Sequence, residues 1–281
     1  MNKQNKKQEN HNIVNQNSTG QNPSPKLKPS AFAVVNKPLF LSSLEQRLLE
    51  IRVDLSDEQK AQMAVYYETL VETNKVMNLT GIVEAAEVAE KHIADSLRLL
   101  PFLGAEANSK NSTKTKTLVD VGTGAGLPGI PLAVACPWLR VILLDSQQKR
   151  CRFLETACQK LGLQNVAVVW GRAEELGHKE ELREKADFAV ARAVASLPIL
   201  LEYLTPFVNP GGRIIAMKGS SAADEIQASG GALRELNSSL QEVLEYTLTT
   251  GESRSLVVIK KDNLLKQKYP RNSGLIKKKP L

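Results

Sequence analysis

The segment TLVDVGTGAGLPGIPLA at residues 117–133 places four glycines and two prolines between two apolar runs. Glycine has no Cβ atom, so it lets a ligand approach the backbone closely and allows dihedral angles that other residues avoid. A glycine-rich turn after an apolar strand is typical of a loop that binds a cofactor. Two kinds of ligand would suit it: the pyrophosphate of a dinucleotide, or a small cofactor without phosphate.

The dinucleotide interpretation rests on Gly124, Gly126 and Gly129, which spell G-x-G-x-x-G. The pattern alone is weak, because glycine-rich turns match it often. It also starts three residues after the strand, and it puts Pro128 and Gly129 inside the helix start that should hold the phosphates. A Walker-type phosphate loop is excluded because no Gly-Lys-Ser/Thr follows. A nicotinamide-dependent oxidoreductase therefore stays as the alternative interpretation.

S-adenosylmethionine suits the loop better, because it carries no phosphate and needs bare backbone with carboxylates nearby. Gly122 directly follows the strand, and Asp120 is placed to receive the amino group of the cofactor. Asp145 ends the next apolar run, from which a carboxylate can reach ribose hydroxyls. The competing interpretation makes Asp145 the N-cap of the next helix, a role for which Ser146 also qualifies.

Short β-branched runs alternate with helical segments after residue 116, and these elements must position the loop. The runs lie at 117–121, 140–145, 166–170, 187–192, 213–219 and 255–260. Such alternation predicts a parallel sheet, and strands without a polar face predict helices on both sides of it. We therefore predict an α/β fold, a Rossmann-like sheet covered on both faces and preceded by an N-terminal helical extension.

Helical spacing dominates the chain before the sheet. Ser56 fits an N-cap, and Met63, Tyr67 and Leu70 follow it at intervals of three and four residues. The predicted organisation is a disordered basic tail (1–38), a helical region (39–103), a linker (104–116), the S-adenosylmethionine-binding domain (117–260) and a basic C-terminal tail (261–281).

The net charge of +7 is concentrated at the two ends of the chain. Residues 1–38 hold six lysines and one glutamate, and residues 260–281 hold eight lysines or arginines and one aspartate. The chain between them is therefore acidic. Basic ends suit a polyanion such as RNA, although a solubilising tail that binds nothing has the same composition.

Composition excludes several classes of protein. No apolar run approaches the roughly 20 residues of a membrane span, and the N-terminus lacks the apolar core of a secretory signal. The three cysteines form no CxxC pair, so packed thiols are favoured over metal ligands. We expect a cytoplasmic, reduced protein that binds no metal and no membrane.

Six motifs occur in a fixed order between about residues 40 and 260: NLTGI…EKHIADSL, DVGTGAGLPGIPLA, LLDSQQKRCRFL, GRAEEL, ARAVASL and AMKG. In this order they resemble the bacterial small-subunit ribosomal RNA (guanine-N7) methyltransferases, also called glucose-inhibited division protein B. The resemblance implies a Rossmann-like class I methyltransferase that uses S-adenosylmethionine. It also implies 16S rRNA, or the small ribosomal subunit, as the partner.

The resemblance implies a set of cofactor-binding residues. It places the cofactor against the backbone around Gly122 and the side of Leu127. Asp145 matches the carboxylate that holds the ribose, and Ala173 with Glu174 flank the adenine.

The resemblance also implies residues for catalysis and substrate. Arg192 matches an arginine at both the cofactor and the active site, whereas pairing with Asp187 or Glu174 is the structural alternative. His92 and Asp95 match a helical HxxDS motif over the cleft. Their alternative is a packed histidine that bonds Asp95 one turn away.

Basic residues at other strand ends could contact RNA phosphate. Lys149, Arg150 and Arg152 lie in the first two turns of a predicted helix, where the macrodipole disfavours cations. That conflict favours an external anion, with a solvated basic face as the alternative. Lys218 and Arg254 extend the same hypothesis.

Guanine N7 carries a lone pair at neutral pH, so its methylation needs no general base. Consistent with this, ARAVAS follows the fourth run, where methyltransferases of exocyclic amines carry an Asn/Asp-Pro-Pro-aromatic motif. Arg192 would hold guanine O6 or a phosphate and leave N7 free. We expect a monomeric enzyme, with a non-catalytic RNA-binding assembly factor as a further alternative.

Overall fold

The computed structural model describes residues 34–104 and 115–281. The expected N-terminal tail up to residue 33 and most of the expected linker, residues 105–114, lie outside the described residues. Within the described ranges, no helix is both long enough and apolar enough to cross a bilayer.

A seven-stranded sheet forms the centre of the molecule, with the strand order β3-β2-β1-β4-β5-β7-β6. Strands β1 to β5 are parallel to one another, and β7 runs antiparallel to both of its neighbours. The strands are β1 (Thr117–Val121), β2 (Arg140–Asp145), β3 (Val166–Trp170), β4 (Ala186–Arg192), β5 (Val208–Lys218), β6 (Ser238–Thr247) and β7 (Ser253–Lys261).

The order 3-2-1-4-5 is that of a Rossmann-like sheet, and it reverses direction beside β1. Ligands of such sheets bind at the carboxyl ends of the strands next to that reversal. The predicted α/β class and the predicted strands are confirmed. The insertion of β7 between β5 and β6 differs from the dinucleotide-binding order, in which the sixth strand follows the fifth directly.

Helices cover both faces of the sheet and form two separate apolar cores. One core joins helices α1, α2, α5 and α6 to the sheet, and the other joins α8 and α10 to it. The helices are α1 (Lys37–Ile51), α2 (Asp57–Asn74), α3 (Ala85–Glu87), α4 (Asp95–Leu97), α5 (Gly129–Ala135), α6 (Gln148–Leu161), α7 (Ala173–Leu176), α8 (Leu197–Leu204), α9 (Ala222–Ala228), α10 (Gly230–Glu235) and α11 (Ser273–Lys278). A π-helical segment, Val88–Ala94, connects α3 to α4.

The predicted helical extension packs directly on the sheet. Its helix α2 starts at a capping box in which Ser56 and Gln59 satisfy each other's backbone amides. Tyr66 of this helix is fully buried and donates to the carbonyl of Ala125, with 2.8 Å between the oxygens. The helical extension thus contacts the glycine-rich loop directly through Tyr66.

The C-terminal segment corrects one prediction, because it is not a free basic tail from residue 261 onward. Lys261 belongs to β7, is fully buried, and pairs with Glu184 while donating to the carbonyl of Val208. Tyr269 and Ile276 are buried as well. The lysine-rich composition suggested solvation, but alternate apolar and arginine side chains anchor the segment to the domain.

Candidate active site

The glycine-rich loop is held closed by two buried carboxylates. Asp120, on β1, accepts from the Thr123 hydroxyl at 2.6 Å and from the Gly129 amide at 2.8 Å. Burial raises the pKa of this carboxyl to about 6. Asp120 is fully enclosed beneath the loop. Its Oδ2 takes both loop bonds, while its Oδ1 has no hydrogen-bond partner among the described residues. Asp120 therefore holds the loop, and its contact with the amino group of a cofactor stays a prediction.

Asp145, at the end of β2, holds the other side of the loop. Its Oδ2 accepts from the Gly124 amide at 3.0 Å, and its Oδ1 accepts from the Gln147 amide at 2.8 Å. The guanidinium of Arg150 lies 3.5 Å from Oδ2. Asp145 is buried under the loop, and Gln147, not Asp145 or Ser146, is the N-cap of α6.

These contacts disfavour one of the two kinds of cofactor considered from the sequence, the dinucleotide. In a dinucleotide-binding loop, the amides at the helix start point at the pyrophosphate. Here the amides of Gly124 and Gly129 point at the carboxylates of Asp145 and Asp120. A phosphate at this position would meet two carboxylates, so the loop is unsuited to pyrophosphate.

A cavity of about 170 Å³, here called the loop cavity, opens beside this loop at the carboxyl ends of β1 to β4. Gly122 lines it with φ of +70°, and a Cβ atom there would lie 2.9 Å from Val194 Cγ2. Ala173 and Glu174 of α7 line the same cavity. Three of the six residues predicted for cofactor binding are therefore brought together, whereas Leu127 and Asp145 are buried and do not line the cavity, and Arg192 lines a different cavity.

A second cavity, of about 640 Å³ and here called the arginine cavity, lies over the ends of β4 and β5. Arg192, the last residue of β4, lines it and donates through Nη1 to the carbonyl of Lys91 at 2.9 Å. The same atom lies 3.4 Å from Asp95 Oδ2. The alternative pairings of Arg192 with Asp187 or Glu174 are not formed.

Asp95 connects Arg192 to the far edge of the sheet. Its Oδ1 accepts from the hydroxyl of Tyr246 at 2.5 Å, and Tyr246 lies on β6. The guanidinium of Arg98 lies 4.3 Å from the centre of the Tyr246 ring. Burial and the Asp95 carboxylate raise the pKa of Tyr246, so its hydroxyl stays protonated and donates.

His92 faces Thr80 rather than Asp95. Its Nε2 lies 2.8 Å from Thr80 Oγ1, and its Nδ1 has no hydrogen-bond partner among the described residues. Burial, reinforced by the nearby Arg192 cation, lowers the pKa of His92 to about 3. The imidazole is therefore neutral at physiological pH, and the alternative bond to Asp95 predicted from the sequence is wrong.

The two cavities adjoin each other, because Val194 and Ala195 line both. Charged side chains line both cavities: Arg172, Glu174 and Lys277 lie beside the glycine backbone in the loop cavity, and Arg192, Lys218 and Arg254 line the arginine cavity. A small cofactor in the first would therefore lie beside a polar substrate in the second.

Comparison with known families identifies the fold and its activity class. A model of the family described as GidB, rRNA small subunit methyltransferase G, matches residues 59–257. The chain belongs to the GidB family. The resemblance found from the ordered motifs is thereby confirmed, and the matched range includes every residue of the arginine cavity.

Curated members of the GidB family match most of the chain. The protein named "Ribosomal RNA small subunit methyltransferase G" from Alkaliphilus metalliredigens is 45% identical over 233 residues, which cover 83% of this chain and 95% of the relative. The protein of the same name from Acetivibrio thermocellus is 44% identical over 230 residues, covering 82% of this chain and 91% of the relative.

Solved structures of lower similarity were also found for this GidB member. A SAM-dependent methyltransferase from Aquifex aeolicus matches with a TM-score of 0.45 at 19% identity, covering 61% of this chain and 92% of that one. The 16S rRNA (adenine(1408)-N(1))-methyltransferase from Catenulisporales acidiphilia also gives 0.45, at 18% identity, covering 53% of this chain and 89% of that one.

The basic residues predicted as RNA contacts fall into two groups in this GidB member. Lys218 and Arg254 line the arginine cavity, but the ammonium of Lys218 is already paired with Glu225 at 2.7 Å. Lys149 is exposed on α6, and Arg150 is paired with Asp145. The macrodipole conflict at this helix start is thus partly relieved by an internal carboxylate.

Sequence reasoning missed three residues of the site: Thr80, Val194 and Tyr246. Val194 and Thr80 lie inside the quoted motifs, so their proximity to glycine and histidine could have been suspected. Tyr246 lies 151 residues from its partner Asp95, in a strand that the sequence analysis did not predict. Among the described residues, no group of three or more His, Cys, Asp and Glu could hold a metal ion.

Proposed function

We propose that this chain transfers the methyl group of S-adenosylmethionine to N7 of a guanine in 16S rRNA. Membership of the GidB family carries the proposal, because the matched residues 59–257 contain the loop, Arg192 and the helix of His92 and Asp95. The adjoining cavities supply the two compartments that a cofactor and a base require.

The loop cavity fits S-adenosylmethionine in its chemistry. Bare backbone at Gly122 gives a close approach, and the Glu174 carboxylate can accept a hydrogen bond from a hydroxyl or an amino group. Asp120 and Asp145 accept hydrogen bonds from the loop and so fix its backbone. Their negative charges would repel an anionic group placed at the same loop. When bound there, the cofactor supplies a methyl group on a sulfonium.

Arg192 is the residue we assign to substrate alignment in the arginine cavity. Among the described residues its hydrogen bonds use Nη1 alone, which leaves the hydrogens of Nε and Nη2 for a substrate. These donors suit guanine O6 or a phosphate, and either contact leaves N7 free. Lys91 and Asp95 fix the guanidinium from behind, so its direction is set before the substrate arrives.

No residue is needed to accept a proton before the transfer. The N7 lone pair is the nucleophile, and alignment of two reactants can supply roughly 7–11 kcal/mol of the barrier. His92 is neutral but enclosed, and Asp95 is engaged by Tyr246 and Arg192. Both residues therefore serve the geometry of the cavity, and neither serves as a base.

The partner in this proposal is 16S rRNA, free or in the small ribosomal subunit, and the enzyme acts as a monomer. Arg254 at the rim of the arginine cavity and Lys149 on α6 are its proposed phosphate contacts. The paired Lys218 and Arg150 contribute mainly to the walls that position them.

The test is single-turnover transfer of labelled methyl from S-adenosylmethionine to small subunits from a strain that lacks this enzyme, with mass mapping of the product. We expect labelled methyl at N7 of one guanine, and no incorporation of label into subunits from the complemented strain, where that guanine is already methylated. Methyl at an exocyclic amine or a hydroxyl would overturn the N7 assignment. Stabilisation by a nicotinamide dinucleotide with none by S-adenosylhomocysteine would overturn the cofactor.

A protein that binds both ligands but transfers no methyl group to free RNA or to subunits would be an assembly factor.

A further inference from the structure

The end of the chain lies beyond the family match, which stops at residue 257, and yet it packs beside the loop cavity. We call residues 269–278 the C-terminal clasp. Tyr269 and Ile276 of the clasp are buried, and the side chain of Asn272 caps helix α11. The clasp is therefore a folded part of the domain.

Helix α8 anchors the clasp through two consecutive residues. The guanidinium of Arg271 forms a fork on the fully buried carboxylate of Glu202, with Nε–Oε1 at 2.8 Å and Nη2–Oε2 at 2.6 Å. The next residue of α8, Tyr203, lies with its hydroxyl 3.1 Å from Ser273 Oγ. A bidentate arginine–carboxylate pair fixes direction as well as distance, so the start of α11 is held in one place.

A third contact ties the clasp to the region after α7. His178 Nε2 lies 2.8 Å from the carbonyl of Pro270. Helix α7 carries Ala173 and Glu174, which line the loop cavity. The clasp is thus attached on both sides of the cavity opening.

Anchoring in this position makes the clasp a wall of the loop cavity. Ser273 and Lys277 line the cavity together with Gly122, Glu174 and Arg172. A lysine ammonium offers three donors and no acceptor, and a serine hydroxyl offers both. The ring nitrogens, ribose oxygens and carboxylate of S-adenosylmethionine are acceptors, and so they complement Lys277.

We propose that the C-terminal clasp is part of the cofactor site, in which Lys277 and Ser273 bind S-adenosylmethionine. The inference rests on the proposed function for the identity of the ligand. It differs from the role expected from the sequence, because it assigns Lys277 of the basic chain end to the cofactor and not to RNA phosphate. The observation that supports the proposal is that α11 is anchored beside the loop cavity.

The decisive comparison is between two neighbouring lysines of α11. Both side chains are exposed, but Lys277 lines the loop cavity and Lys278 does not. Titration calorimetry with S-adenosylhomocysteine should show a Kd raised about threefold to tenfold by Lys277→Ala, as expected for loss of one hydrogen bond from an exposed side chain. Lys278→Ala should leave the Kd unchanged.

RNA binding by the Lys277→Ala and Lys278→Ala variants tests the alternative role of the clasp. If Lys277→Ala weakens binding of 16S rRNA and lowers its salt dependence while the Kd for S-adenosylhomocysteine stays unchanged, the clasp contacts RNA and the proposal is overturned. Equal effects of the two variants on the cofactor Kd would overturn it as well.

Limited proteolysis gives a readout that does not depend on activity or substitution. Saturating S-adenosylhomocysteine should slow tryptic cleavage after Lys277 at least about threefold in the unmodified protein. Cleavage after Lys160, an exposed residue at the end of α6, serves as the internal control. Equal rates after Lys277 with and without the ligand would count against the clasp.

The two proposals fail in different ways. If the unmodified protein binds S-adenosylhomocysteine and methylates small subunits, but Lys277→Ala matches Lys278→Ala, only the clasp inference fails. If the unmodified protein binds no S-adenosylhomocysteine, the proposed function fails first.

Discussion

The loop cavity and the arginine cavity adjoin each other but are built by different means. In the loop cavity, internal carboxylates tie down a glycine loop whose backbone forms one wall, and Glu174 and Lys277 line the cavity beside it. In the arginine cavity, the side chains of Arg192 and Arg254 line the space together with the buried His92. Backbone fixes a shape, whereas charged side chains fix a direction. Substitutions should therefore affect binding in the first cavity and rate in the second.

The largest expected effect is loss of cofactor affinity in Gly122→Val. A side chain there meets Val194 and takes up space in the loop cavity. Overpacking of about 1–3 kcal/mol against the bound ligand should raise the Kd for S-adenosylhomocysteine by up to about 100-fold. Left-handed backbone costs about 1–2 kcal/mol of stability in addition, which lowers the Tm and not the affinity. Titration calorimetry measures the Kd.

Gly162→Val is the matched control for this prediction. Gly162 has φ of +67°, close to the +70° of Gly122, but nothing lies within 4 Å of its Cβ position. It should show similar backbone strain in a lowered Tm with an unchanged Kd. If both variants bind the ligand equally well, the backbone of Gly122 is not the cofactor wall.

Substitution of Arg192 in the arginine cavity should lower the rate of methyl transfer. Arg192→Ala should lower the single-turnover rate at saturating cofactor and RNA about 10- to 100-fold, since misplacement of a reactant by about 1 Å can cost that much. Its Kd for S-adenosylhomocysteine should change little. A purely structural role for Arg192 would show instead as a lowered Tm with a normal rate in the folded fraction.

Arg254→Ala is the comparison within the same cavity. Arg254 donates to the neighbouring carbonyl of Ser253 alone among the described residues. Its loss should weaken RNA binding and reduce the salt slope by about one phosphate contact. The rate at saturation should stay normal, and a large drop there would move Arg254 into the catalytic alignment.

Two substitutions that each remove one hydroxyl group, one at each cavity, should have smaller effects. Tyr246→Phe removes the donor to Asp95 and should lower the single-turnover rate about 3- to 10-fold, with the cofactor Kd unchanged. Tyr203→Phe removes the contact with Ser273 and should raise the cofactor Kd by a similar factor, with the rate at saturation unchanged. If Tyr246→Phe raised the cofactor Kd and Tyr203→Phe lowered the rate, the proposed division between binding in one cavity and rate in the other would be contradicted.

The smallest expected effect is the absence of a pH dependence. The pKa of His92 is lowered to about 3, so the imidazole is already neutral throughout the range from pH 7 to 8.5. Asp120, with a pKa raised to about 6, is mainly ionised above pH 7. The single-turnover rate should be flat over that range. An ascending limb that disappears in a His92 or Asp95 variant would reveal a general base.

Most strands could be predicted because they are buried on both faces, and so they appear as short β-branched runs. Strand β6 could not, since it lies at the sheet edge, is mostly exposed, and alternates charged with apolar residues only weakly. Gly122, Glu174 and Arg192 were placed correctly at strand ends by the motif order. Asp145 was also placed at the correct strand end, but its carboxylate turned toward the loop and not toward the cavity.

The sequence by itself determined the order of strands and helices, the glycine loop and the family, because local periodicity and ordered motifs are written along the chain. Only the tertiary structure decided which groups the carboxylates bind and where the chain end lies. Tyr246 meets Asp95 across 151 residues, and Arg271 meets Glu202 across 69. Such pairs depend on how elements pack, and no local pattern distinguishes an arginine that anchors a cavity wall from one that is solvated. For this reason the composition of residues 261–281 suggested a basic tail, whereas in the structure residues 269–278 pack against the domain as the C-terminal clasp.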